Sequence, residues 1–97
     1  MIDTPIRVLL TNGVRNFLRG GGQLGLEGTD DATGQLYWIV VARSLDGEVF
    51  YVLESRTGTH RRLLTPSAAY HYLARYFPDA DHFCIPTKRN RICFVES

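Results

Sequence analysis

The chain has 97 residues, a length that fits one domain with a modest hydrophobic core. Hydrophobic residues make up 44% of the chain and charged residues 22%, which argues against a disordered protein. The formal net charge is +1, so no strong overall field favours a nucleic acid or an acidic membrane as a partner. We therefore expect a single domain over residues 1–97.

The first segment, residues 4–19, can be interpreted in two ways. Its apolar residues follow helical spacing, Thr4 and Pro5 suit a helix N-cap and first turn, and the glycines that follow would end the helix. Against this, the dipeptide Asn12-Gly13 is typical of a β-hairpin turn between two short apolar runs. We favour the N-terminal helix over residues 4–19.

The next stretch, residues 20–34, is rich in glycine and predicts a flexible loop. Asp30 and Asp31 add residue types that are common in turns. Glycine content alone gives the stretch a likeness to phosphate-binding loops, but the spacing matches neither of the two common phosphate-binding motifs. A hinge or a connecting loop is the better interpretation.

Residues 36–42 and 49–53 predict two neighbouring strands, because they are rich in β-branched and aromatic side chains. Asp46-Gly47 between them indicates a hairpin, and a two-residue turn there places Arg43 opposite Phe50. The more apolar face of the pair then holds Trp38, Val40, Ala42, Val49, Tyr51 and Leu53. We expect that face to lie in the core and the other face to be partly exposed.

A second turn at Thr57-Gly58 predicts a third strand over residues 59–63. This strand completes an antiparallel meander over residues 36–63. In this register Glu54 lies opposite Arg61, and such a cross-strand ion pair contributes roughly a few tenths of a kcal/mol.

The pair Thr65-Pro66 predicts the start of a helix over residues 66–77, and Pro78 would stop it. The apolar side chains of this segment recur at helical spacing and form a stripe suited to packing on a sheet. The members of the stripe are Ala69, Leu73, Tyr76 and Phe77, with Tyr72 beside them.

Residues 82–95 predict a final hairpin, in which a two-residue turn would place Cys84 opposite Cys93. A disulfide between them requires an oxidising compartment. No signal peptide and no apolar run of membrane-spanning length is visible, so we expect a cytoplasmic protein with reduced cysteines. The cysteine and histidine spacing matches no metal-binding motif, so we expect no metal site and no cofactor.

Together these elements predict an α+β fold. An antiparallel sheet of about five strands forms from the meander over 36–63 and the hairpin over 82–95, with helix 66–77 packed on one face. The N-terminal helix over 4–19 would cover part of the other face or an edge.

No catalytic motif is present, since there is no nucleophile motif and no pair of acids in an apolar setting. The exposed face of the meander instead predicts a protein-binding surface, because exposed apolar patches usually mark protein interfaces. Its members are Tyr37, Ile39, Val41, Phe50 and Val52. We expect a small non-enzymatic protein-binding or regulatory module with a protein partner or a second copy of itself, no membrane partner and no small-molecule substrate.

A nucleic-acid-binding accessory protein is the alternative. The basic segments 56–62 and 88–91 hold six of the eleven Lys and Arg residues, namely Arg56, Arg61, Arg62, Lys88, Arg89 and Arg91. If both segments lie at the same edge of the sheet, they form one positive patch that could contact phosphates. Charged turns are also common on soluble proteins without any such role. The small net charge favours the protein-binding hypothesis slightly, whereas the clustering of the basic residues favours the alternative.

Overall fold

The computed structural model describes residues 7–95 as a mixed sheet of six strands with two helices. The strands are β1 (Val8–Leu10), β2 (Gln23–Asp30), β3 (Leu36–Arg43), β4 (Val49–Leu53), β5 (Arg62–Leu63) and β6 (Ile92–Phe94), and the helices are α1 (Val14–Arg19) and α2 (Pro66–Tyr76). The strand order is β1-β4-β3-β2-β6, and β5 also pairs with β3. The predicted α+β class is therefore confirmed, but a purely antiparallel sheet is wrong, because β1 runs parallel to β4.

The predicted N-terminal helix over 4–19 is wrong in its first half. Residues 4–6 lie outside the described residues, Val8–Leu10 form β1, and the α-helix spans only Val14–Arg19. A 3-10 turn at Thr11–Gly13 joins the two elements, so the alternative hairpin is wrong as well. Helical spacing misled here because the segment joins an alternating strand pattern to a short helical one.

Polar contacts hold the start of this segment against the end of β4. The Ser55 hydroxyl accepts a hydrogen bond from the Asn12 amide at 3.0 Å, and the Thr11 hydroxyl accepts one from the Ser55 amide at 3.2 Å. These contacts help to hold β1 at the edge of the sheet beside β4, more than 40 residues away along the chain. Local sequence patterns do not reveal a pairing between such distant segments.

The loop predicted over residues 20–34 contains β2, which lies inside the sheet between β3 and β6. Leu24 and Leu26 are fully buried and alternate as a strand requires. The glycines allow close approach of the neighbouring chain, since a Cβ at Gly25 would collide with the Cys93 carbonyl oxygen and one at Gly28 with that of Lys88. The loop prediction is wrong over 23–30. The glycines at 25 and 28 make room for the backbone of the neighbouring segment and do not indicate a flexible chain.

The β3–β4 hairpin differs from the prediction by one residue. Arg43 lies opposite Val49, whereas a two-residue turn would have paired it with Phe50. The turn has three central residues: the Gly47 amide bonds the Ser44 carbonyl at 2.9 Å, and Gly47 has φ +88°, which suits the last position of such a loop. A shift of one residue turns every side chain of β4 to the opposite face.

The third strand of the meander is shorter than predicted and pairs mainly with β3. Trp38 lies opposite Leu63 and Ile39 opposite Arg62, whereas a single bridge joins Leu53 to His60. The ion pair predicted between Glu54 and Arg61 is present at 3.2 Å.

The helix predicted over 66–77 is confirmed as α2 (Pro66–Tyr76). The Thr65 hydroxyl caps it by accepting a hydrogen bond from the Ala68 amide at 3.0 Å. Ala69 and Leu73 are fully buried, and Tyr72, expected beside the stripe, is buried as well.

The predicted hairpin over 82–95 is wrong, because β6 pairs with β2 and residues 82–86 form no strand. Side chains hold the latter segment in place. The Trp38 indole N–H donates to the Pro86 carbonyl oxygen at 2.7 Å, and a disulfide joins Cys84 to Cys93. The expectation that both cysteines are reduced is therefore wrong for this structure.

The hydrophobic core lies on one side of the sheet. Buried strand residues such as Leu26, Val40 and Val52 contact apolar residues of α1, α2 and the segment after α2. The helix residues among them include Val14 of α1 and Leu73 of α2. Among the described residues no helix packs on the other side of the sheet. That side is called the open face below.

Candidate functional site

The open face follows from strand register and side-chain alternation. Val41 lies opposite Tyr51, and Tyr51 lies opposite Val8, so these three side chains share one face. The same alternation extends across β2, β5 and β6. The open face thus comprises Val8, Leu10, Gln23, Gly25, Glu27, Thr29, Tyr37, Ile39, Val41, Arg43, Val49, Tyr51, Leu53, Arg62, Ile92 and Phe94.

Large apolar side chains are exposed on the open face. Val8 is 48% exposed, Leu10 41%, Val49 40% and Ile92 42%, and these residues lie near its two outer edges. Between them Tyr37, Ile39, Tyr51, Leu53 and Phe94 are partly exposed, whereas Val41 is fully buried. Exposed apolar side chains grouped on one face of a domain often mark an interface.

The structure divides the predicted protein-binding residues between the two faces. Tyr37, Ile39 and Val41 lie together on the open face. Phe50 and Val52 lie on the core side, where Val52 is fully buried and the Phe50 ring packs edge-on against Phe17 at 5.4 Å. The one-residue register shift causes this division.

The prediction missed the open-face residues of β4, which are Val49, Tyr51 and Leu53. A two-residue turn predicts these three side chains in the core. The signal that could have placed them correctly is Asp46-Gly47 itself, because this dipeptide also suits a three-residue loop with glycine in its last position.

A polar row crosses the centre of the open face. Glu27 lies opposite Ile39, and Ile39 lies opposite Arg62, so the carboxylate and the guanidinium group are on the two sides of one apolar residue. Neither charged side chain forms an ion pair within residues 7–95. The Arg62 guanidinium lies 5.6 Å from the centre of the Tyr37 ring. Neither charge is therefore neutralised by an opposite charge within residues 7–95.

Tyr51 gives this part of the face a low-polarity character. Partial burial raises the pKa of Tyr51, and the nearby negative charge of Glu27 adds to the effect. The His60 ring packs edge-on against Tyr51 at 5.4 Å. Tyr51 presents an aromatic surface next to the charged row.

Arg43 closes the corner of the open face near β6. Its guanidinium stacks 4.2 Å from the centre of the Phe94 ring and donates two hydrogen bonds to the Gln23 side-chain oxygen, at 2.6 and 3.0 Å. These contacts leave Arg43 in one defined position, so it forms part of the surface and is less available to a ligand than Arg62.

The two basic segments lie at the same end of the sheet. The Asn90 amide donates to the Gly28 carbonyl at 2.8 Å, which holds the second segment beside the end of β2. The first segment pairs with β3 through Arg62, which lies opposite Ile39. The preceding residue of β3, Trp38, lies opposite Gly28. β2 and β3 lie between the two segments, and two of the six cations are paired.

The paired cations are Arg61, at 3.2 Å from Glu54, and Arg89, at 3.6 Å from Asp30. Arg56, Arg62, Lys88 and Arg91 have no acidic partner within 4 Å in the described part of the chain. The acids reduce the positive potential between the two segments.

Within residues 7–95 no three His, Cys, Asp or Glu side chains group in a way that could hold a metal ion. Over the same range no helix has the length and apolar character that a membrane crossing requires. Comparisons of the chain with protein-family models, with curated proteins and with solved structures gave no match.

Proposed function

We propose that this protein is a non-enzymatic protein-interaction module that forms a homodimer through its open face. The proposal rests on the row Glu27–Ile39–Arg62, which is complementary to itself. A two-fold axis parallel to β3 and above Ile39 would place Glu27 of one copy over Arg62 of the other, and the reverse. Two ion pairs would then flank a central contact between the two Ile39 side chains.

The shape of the open face supports a second copy as the partner. Two sheets pack face to face with their strands nearly aligned, and the proposed axis produces this alignment. Five strands lie side by side, and the longest have eight residues, so the face measures about 20 Å by 25 Å. A pair of such faces buries on the order of 1,000 Å², which is the lower end of specific interfaces and suits a micromolar dimer.

Charge-swap variants test the arrangement by sedimentation velocity at protein concentrations from about 1 to 500 µM. Glu27→Arg and Arg62→Glu should each weaken dimerisation about tenfold or more, because like charges then oppose each other across the interface. The double variant Glu27→Arg/Arg62→Glu should restore it. Arg56→Glu is the matched control, since it makes the same charge change in an exposed turn.

Two results would overturn the proposal. One is a protein that stays monomeric over the whole concentration range. The other is a double variant that remains as weak as either single variant, since the two charges would then not meet across the interface. Circular dichroism spectra of all variants establish that they retain the fold.

A nucleic-acid-binding accessory role is the second candidate, supported by the position of both basic segments at one end of the sheet. Fluorescence anisotropy with a labelled DNA duplex and a labelled single strand tests it over a salt series. Binding should weaken steeply with salt, and Lys88→Ala/Arg91→Ala should reduce the salt slope by about two. Absence of binding at low salt would exclude this role.

A further inference from the structure

The outer edge of β6 carries backbone groups that pair with no other strand within residues 7–95. The Gly28 amide donates to the Arg91 carbonyl at 2.9 Å, and the Val95 amide donates to the Leu24 carbonyl at 2.8 Å. Because hydrogen-bonded positions alternate along an antiparallel strand, the amides and carbonyls of Ile92 and Phe94 point away from β2. Those groups have no hydrogen-bond partner among the described residues.

A groove of about 1070 Å³ runs along this edge. Its opposite wall is the segment from the end of α2 to Cys84, and the Cys84–Cys93 disulfide ties that wall to β6. Phe83 fixes the wall from inside, because its ring packs against Tyr70 at 5.4 Å and Phe77 at 6.5 Å. The unpaired edge is therefore held open beside a defined wall.

We propose that this groove binds an extended peptide segment of another protein, which pairs with β6 and adds a strand to the sheet. Outward-pointing backbone groups at alternate positions are what such a strand requires, and the peptide would satisfy them with its own amides and carbonyls. The backbone groups that would pair lie at the outer edge of β6, whereas the two charges of the proposed dimer contact lie on β2 and β5. The side chains of Ile92 and Phe94 belong to the open face as well.

The two sides of the groove predict the side chains of the peptide. Residues of an added strand that lie opposite Ile92 and Phe94 would share the open face with these apolar side chains. The residue between them would face the wall, which carries the exposed acids Asp79 and Asp81 and the neighbouring His82. Arg43 also lines the groove, but its guanidinium is bound to the Gln23 side-chain oxygen. Neither acid forms an ion pair within residues 7–95. The matching pattern is apolar, basic, apolar.

An acetylated and amidated heptapeptide of alternating valine and lysine serves as the probe. Titration to about 1 mM, followed by ¹H–¹⁵N NMR spectra, should shift the Ile92 and Phe94 amide signals and slow their hydrogen exchange. A peptide with glutamate in place of lysine should bind at least tenfold more weakly, because it meets the two wall acids.

Variants separate backbone pairing from charge attraction. Ile92→Pro removes an outward amide and leaves the ladder to β2 intact, so it should abolish binding. Asp79→Asn/Asp81→Asn should weaken binding about three- to tenfold, whereas the control Asp46→Asn, on a distant turn, should not. The dimer variant Arg62→Glu, on β5, should bind the peptide normally.

Three outcomes would overturn the inference. The lysine peptide could fail to shift the β6 amides at about 1 mM. The acidic peptide could bind equally well. Alternatively, Ile92→Pro could retain full affinity with an unchanged fold, which would mean that the backbone of β6 takes no part.

Discussion

Gly25 shows how one residue determines the position of an entire strand. A Cβ at this position would collide with the Cys93 carbonyl oxygen and would lie 2.8 Å from the Phe94 ring. Because Gly25 is buried inside the sheet, β6 would have to move away from β2 to make room. The absence of a side chain at Gly25 is therefore a condition for the β2–β6 pairing.

We predict that Gly25→Ala lowers the free energy of unfolding by about 1–3 kcal/mol, the usual range for overpacking. Urea unfolding followed by circular dichroism measures the change. Gly20→Ala is the matched control, because the nearest atom to its added Cβ is at 3.5 Å, which is ordinary contact. Its effect should stay within about 0.5 kcal/mol. Equal stability of both variants would contradict the crowding argument.

Some elements could be predicted from the sequence because their signals are adjacent in the chain. The helix α2 begins at Thr65-Pro66, and its cap and apolar stripe lie within a dozen residues. The strands β1 and β6 could not be assigned in this way. Their partners, β4 and β2, are more than 40 residues distant, and strands of three residues carry little pattern of their own.

The candidate interface was predicted in part. Tyr37, Ile39 and Val41 were assigned to the exposed side because β3 alternates clearly, and the structure places them on the open face. The assignment of β4 depended on the length of one turn, and the sequence Asp46-Gly47 permits both lengths. Glu27 carries no interface signal in the sequence, because the glycines around it predict a loop.

The segment after α2 depends on a covalent link in place of a strand ladder. Residues 82–86 form no strand, and the Cys84–Cys93 disulfide joins them to β6 across a sequence separation of nine residues. Closing a loop of this size stabilises a folded protein by about 2–3 kcal/mol in the chain-entropy model.

We therefore predict that a reducing agent lowers the free energy of unfolding by about 2–3 kcal/mol, as measured by urea unfolding. The Cys84→Ser/Cys93→Ser variant should resemble the reduced protein and should not respond to the reducing agent. Hydrogen exchange should quicken first at the Cys93 amide and in the segment before Pro86. An unfolding midpoint that is the same with and without reducing agent would contradict this prediction.

At the scale of the whole molecule, the sheet has an apolar surface on both sides but a helical layer on one. Both helices belong to the core cluster that contains Val40 and Val52, and none of the described helices contacts the open face. Apolar strand residues such as Ile92 and Val49 therefore remain more than one third exposed. A second sheet would complete the layered arrangement that sheets with two apolar faces adopt.

Dimerisation by this route must also change the stability of the fold, because an interface that only the folded state forms stabilises it by mass action. With a dissociation constant of about 10 µM, raising the protein concentration from about 5 to 500 µM should add about 1 kcal/mol per chain. The midpoint of urea unfolding should rise accordingly. The Glu27→Arg variant should show a smaller rise and Arg56→Glu the full one. A midpoint that is independent of concentration would mean that the open face remains solvated in the folded protein.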